Sequence, residues 1–165
     1  MAEALTRTAD LCARQGLHGE AASHLRQALA LRRGLGSRSG EADTLNSLGE
    51  VLLATSQPDR ARHEHAAALG LATQTGDKYQ QARAHHGLGH ACHADCDPAG
   101  ARSHWQQAFA LFTELGTPEA GQVPGAAYRS PKLQPPETGG VPIAVGVDGS
   151  VPRADVEARP SPLVP

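Results

Sequence analysis

The chain repeats itself at a spacing of 40 residues, and a fixed period of that size restricts the fold to a stacked array of small, similar units. Residues 41–80 and 81–120 align without a gap. Leu45-Asn46-Ser47-Leu48-Gly49 falls on His85-His86-Gly87-Leu88-Gly89, and Ala61, Ala68, Leu71 and Gly76 fall on Ala101, Ala108, Leu111 and Gly116. Residues 1–40 follow more loosely, with Leu5, Ala9, Ala21, Ala28, Leu31 and Gly36 in register and Thr8 where the other units have Leu. Each unit buries its apolar face only against a neighbour, so three units, 1–40, 41–80 and 81–120, are about the minimum that supports itself.

Within a unit the apolar residues keep helical spacing in two blocks separated by a turn. Leu45, Leu48, Val51 and Leu52 predict a helix over roughly 42–55. Gln57-Pro58 opens a second over roughly 58–75, with proline at a first helical position where the missing N–H is harmless. Gly76-Asp77 ends it, because glycine accepts the left-handed conformation found just past many helices. In the third unit Asp97 is the expected N-cap, Pro98 the first helical residue and Gly116-Thr117-Pro118 the stop. Gly49 and Gly89 stand inside first helices, where glycine costs roughly 1 kcal/mol relative to alanine. Their recurrence predicts that a neighbouring helix leaves no room for a side chain, and Ala61 and Ala101 mark the crossing of each hairpin. The fold class is therefore all-α.

Composition divides the chain near residue 120. Nine of the twelve prolines and six glycines lie in 121–165, a density that predicts a disordered tail. Five aromatic residues in the whole chain suit close-packed helices better than a sheet. A formal net charge of −2 gives no overall attraction to nucleic acid or an anionic membrane. No apolar run approaches the roughly 20 residues of a membrane span, and Met1-Ala2-Glu3-Ala4 lacks the parts of a secretory signal. A cytoplasmic setting is expected. Cys12 and Cys92 share one repeat position two units apart, which argues against a disulfide framework with Cys96. Thirteen arginines against two lysines point to a GC-rich genome.

The carriers Leu48, Gly49, Ala61, His65 and Ala68, and Leu88, Gly89, Ala101, Trp105 and Ala108, resemble tetratricopeptide repeats of a longer, 40-residue variety. Cys12, Leu52 and Cys92 depart from the tyrosine frequent at their place. The resemblance covers 1–120 and implies three helix-turn-helix units in a short right-handed solenoid that binds a protein or peptide. The phrases Ala42–Gly49 and Ala108–Gly116 also resemble the C-terminal arrays of actinobacterial antibiotic-regulatory-type transcriptional regulators. That resemblance implies a regulatory or scaffolding module, or a fragment of such a regulator. No GxxxxGK[ST] loop or helix-turn-helix segment accompanies it, so direct nucleic-acid binding is not implied.

At about 100° per residue, Leu88, Gly89, Cys92 and Cys96 fall on one side of the 81–96 helix, and Arg83, His86, His90 and His93 on another. In tetratricopeptide arrays the second stripe lines the concave groove where peptides lie. The same register selects Asp43, Asn46, Glu50 and Leu53 in the second unit and Glu3, Thr6, Asp10 and Ala13 in the first. The predicted partner-binding groove is Asp43, Asn46, Glu50, Arg83, His86, His90 and His93, acidic over two units and basic or titratable over the third. A carboxylate clamp is not supported, because Thr6, Asp10 and Gly87 stand where it needs Lys and Asn. If the histidines hold an anionic group, affinity should fall as pH rises through about 6.5.

Two other classes compete with a binding module. His86, His90 and His93 can converge as a zinc site, although Cys92 and Cys96 point about 100° away, so the sequence predicts neither a metal site nor a cofactor. A non-functional gene fragment is the other. Enzymatic activity is not expected, because G-x-S-x-G, H-E-x-x-H and paired CxxC are all missing. In the tail, Val141–Ser150 is similar to the first strand and turn of universal stress proteins, where the aspartate approaches a nucleotide. Fifteen further residues cannot complete such a domain. The last helix pair lacks a capping helix, which predicts exposure of Phe112 and Leu115 and leaves self-association through that end open.

Overall fold

The computed structural model describes residues 1–125. It contains six helices: α1 (Ala2–Arg14), α2 (His18–Gly34), α3 (Arg38–Ala54), α4 (Pro58–Thr75), α5 (Lys78–Ala94) and α6 (Pro98–Leu115), followed by a 3-10 turn, Pro118–Gln122. Among the described residues there is no strand, and no helix is long and apolar enough to cross a membrane. The proline-rich stretch from 126 onward, with the segment similar to universal stress proteins, lies outside the described residues.

Consecutive helices pack as neighbours along the chain, and α3 also touches α5, so first helices line one side. The start of α3 lies four residues before the sequence expectation. Arg38, Ser39, Gly40 and Glu41 carry no apolar periodicity, yet they are helical because Glu41 N–H already bonds Ser37 O. Pro58 and Pro98 open α4 and α6 as expected, and the side chains of Asp77 and Asp97 accept from the Gln80 and Gly100 N–H groups.

The helix ends keep a finer period than the sequence suggests. Gly16, Gly36, Ser56, Gly76, Cys96 and Gly116 all have φ between 57° and 78°. They stand 20 residues apart, one after each helix. The next N–H in every case reaches back five residues, from Leu17 to Cys12 O, Ser37 to Arg32 O, Gln57 to Leu52 O, Asp77 to Ala72 O, Asp97 to Cys92 O and Thr117 to Phe112 O. This is the Schellman closure, which satisfies carbonyls left over at a helix C-terminus. Cys96 is therefore not on the packed side of a helix. It is exposed in the turn after α5.

Small side chains let the helices approach. Ala21, Ala28, Ala42, Ala61, Ala68 and Ala101 are at most 1 % exposed. A Cβ on Gly49 would lie 2.5 Å from the His65 ring, and one on Gly89 would lie 2.3 Å from the Trp105 ring. The mid-helix glycines are thus explained by an aromatic ring from the following helix, as their recurrence predicted. The C-terminal end differs from expectation. Phe112 is 2 % exposed, because Val123 folds back against it and the Tyr79 ring meets its edge at 6.0 Å. Leu115 stays 40 % exposed.

Two outcomes test this packing. Ala101→Leu should lower stability by about 1–3 kcal/mol, the usual cost of overfilling a packed crossing, and a thermal transition within a degree of wild type would refute the hairpin contact. Cys96→Gly should raise the urea midpoint. A left-handed non-glycine residue is disfavoured by roughly 1–2 kcal/mol, and glycine's larger chain entropy offsets about half of that. A lowered midpoint would show that the Cys96 side chain makes contacts outweighing the backbone strain.

Candidate functional site

Two depressions follow one another along the side built by the first helices. One, of about 450 Å³, is lined by Thr6, Ala9, Asp10 and Ala13 of α1 and by Glu50 and Val51 of α3. The other, of about 570 Å³, is lined by Glu50 and Leu53 of α3, by Tyr79, His86 and His90 of α5, and by the 3-10 turn through Glu119 and Gln122. Glu50 and Arg83 belong to both. Their ion pair, Nη2 to Oε1 at 2.8 Å, forms the ridge between them.

Arg83 is the most constrained cation of this surface. Its Nε and Nη2 donate to Glu50 Oε1, Nη2 also to Ser47 Oγ, and Nη1 to Asp43 Oδ1 and Gln80 Oε1, which accounts for all five guanidinium N–H groups. Asp43 in turn accepts from Arg32 Nη1 at 2.8 Å. Arg32 is buried and also donates to Thr44 Oγ1 and to the Gly40 carbonyl. The acidic and basic stretches anticipated along the groove are therefore largely paired with each other.

Asn46 is fully buried rather than facing the groove. Its Nδ2 donates to Gln80 O and Gln80 Oε1, both at 3.0 Å. With two acceptors on the nitrogen side, Oδ1 is the atom facing His65 Nδ1, 3.1 Å away, so that ring nitrogen carries the proton. The His65 ring has no exposed surface and fits between two glycines, since a Cβ on Gly87 would lie 2.2 Å from it. Its Nε2 has no hydrogen-bond partner among the described residues. Burial, reinforced by the Arg83 charge, lowers the His65 pKa to about 3.

The histidines of α5 sort into pairs. His86 Nε2 and His90 Nε2 lie 3.2 Å apart, and His85 Nδ1 lies 3.1 Å from His104 Nδ1. Such a contact needs one ring to donate and the other to accept, which favours neutral imidazoles. Burial and the facing ring lower His86 and His85 to about 4, and burial lowers His90. For His86 and His90 the lowered values move any loss of a bound anion to below pH 6.5. His93 is exposed and stands beside Trp105, with ring centroids 5.7 Å apart. Among the described residues no three His, Cys, Asp or Glu side chains converge as a metal site.

The groove stripe thus brings Asp43, Glu50, Arg83, His86 and His90 together, places Asn46 behind them as support, and leaves His93 at the edge. Sequence reasoning did not find Tyr79, Glu119, Arg32 or Gln80. One signal was present: His65 occupies the register of Trp105, and Gly87 adds a second glycine opposite it.

Lowered histidine pKa values have a signed consequence. The unfolded chain gains protons below about pH 6.5 that folded His65, His85 and His86 refuse. Stability is full above that pH and should decline steadily down to about pH 4. Thermal melts at pH 7.0, 5.5 and 4.5 should show a falling midpoint, above the range where unfolded carboxylates dominate; a flat midpoint would mean that these rings remain protonatable in the fold.

Comparison with curated proteins finds no match to the chain. Residues 40–114, nearly the whole of α3 to α6, match the family model of the tetratricopeptide repeat, so the stretch that holds Asp43, Glu50, Arg83 and the paired histidines is similar to tetratricopeptide repeats.

Proposed function

We propose that this chain is a protein- or peptide-binding module of three tetratricopeptide units, 1–40, 41–80 and 81–120, wound as a short right-handed solenoid with a regulatory or scaffolding role. The observation that carries the reading is the pair of consecutive depressions, whose lining comes from the same register of α1, α3 and α5. An extended segment about 3.3 Å long per residue can lay alternate side chains into successive depressions of such a face. Tetratricopeptide repeats generally mediate contacts between proteins and form a non-catalytic scaffold, which supports binding over catalysis. The likeness of Ala42–Gly49 and Ala108–Gly116 to regulator arrays supports a regulatory role in the cytoplasm of an actinobacterium. The near-neutral paired charges of the groove favour a protein segment over nucleic acid, which needs unpaired Lys and Arg.

Selection of random peptides on the full chain tests the reading. Peptides enriched on the wild type should bind the Asp10→Ala, Glu50→Ala double variant about 10-fold or more weakly, equivalent to about 1.4 kcal/mol. Equal affinity, with both proteins equally helical by circular dichroism, would move the binding surface elsewhere.

A further inference from the structure

The larger depression is rich in nitrogen, yet it offers an anion no free positive charge. Among the described residues Arg83 is its only lining cation apart from imidazole, and all five of its N–H groups already have acceptors. His86 and His90 face each other as neutral rings. On the opposite rim the Tyr79 hydroxyl donates to Glu119 Oε1 at 3.0 Å, while Glu119 Oε2, itself buried, has no hydrogen-bond partner among the described residues. Hydrogen bonds from its own backbone N–H and from Tyr79 hold the Glu119 carboxyl below its ordinary range, so it is ionised at neutral pH. Two carboxylates, Glu50 and Glu119, thus face the depression against one guanidinium that Asp43 also shares. The half-exposed Tyr79 ring supplies an aromatic wall of the kind that attracts organic cations.

We infer that the depression between α5 and the Pro118–Gln122 turn takes a basic side chain, arginine or lysine, of an extended partner segment, with Glu119 as its counter-charge and Tyr79 as the wall beside it. This rests on the groove reading above and adds the polarity of the partner. The occupant is a cationic peptide because charge complementarity leaves Glu119 unanswered, whereas an acidic segment would meet Glu50 and Glu119 with no donor to compensate.

The test is an amide chemical-shift titration of the nitrogen-15-labelled full chain with two blocked pentapeptides, alanine on either side of a central arginine or a central glutamate. The arginine peptide should move the Tyr79, Glu119 and Gln122 resonances, and Glu119→Gln should weaken it about 10-fold, the usual scale for a charge-assisted contact. Glu119 lies in a surface turn, so the variant is expected to keep the wild-type spectrum elsewhere. Unchanged affinity in Glu119→Gln, or preference for the glutamate peptide at these resonances, would overturn the inference and leave the groove reading standing. So would shifts confined to Thr6, Asp10 and Val51. Movement of the same resonances on concentrating the chain alone would make a second copy the occupant and overturn it as well. If neither peptide moves any resonance, both readings fail.

Discussion

The arrangement depends on one imidazole held between two glycines. His65 enters from α4, fits against Gly49 of α3 and Gly87 of α5, and is oriented by Asn46. A ring that fills the space left by two missing side chains ties three helices together at one point. It also takes its polar atoms out of water, which requires the Asn46 hydrogen bond on one side and lowers the ring's proton affinity on the other. Asn46 is in turn fixed by the backbone and side chain of Gln80. A buried polar chain therefore runs from Gln80 through Asn46 to His65, beneath the surface that carries the groove.

That buried chain reaches the surface through Arg83. Gln80 is shared between Asn46 and Arg83, and Arg83 connects α5 to Asp43, Ser47 and Glu50 of α3. A partly buried guanidinium such as that of Arg83 is best tolerated when its donors are matched, because an uncompensated charge in a low-dielectric setting is heavily penalised. The groove ridge is consequently a structural tie between neighbouring helix pairs. In the proposed reading, recognition falls to Glu119 at the rim formed by the turn after α6.

Much of the fold was legible in the residues. The prolines at 58 and 98, the aspartate cap at 97 and the glycines at 76 and 116 each encode a local backbone preference, and each acts as expected. The left-handed turns at Ser56 and Cys96 were not legible, because their side chains give no sign of it and the geometry is imposed by the equal length of the connections. The polar first turn of α3 was missed for a similar reason: hydrogen bonding forms it, while the apolar period begins later. At the site, angular position alone grouped Asp43, Glu50, Arg83, His86 and His90. It could not show that Asn46 turns inward or that the charges neutralise one another, since both depend on which side chain of the next unit lies opposite. Glu119 was beyond reach because it belongs to the 3-10 turn that follows α6 and carries no helical periodicity, 40 residues from the tyrosine it meets.

The evenly spaced left-handed residues constrain how such a chain can vary. One residue added within any helix would rotate the rest of that rod by about 100° and turn its alanine seam away from the neighbour, so lengthening a rod one residue at a time is disfavoured. Growth and shrinkage are favoured in whole increments of the period. Each increment would extend the inner wall by another depression, so the number of side chains a partner can present becomes a matter of copy number rather than of loop size.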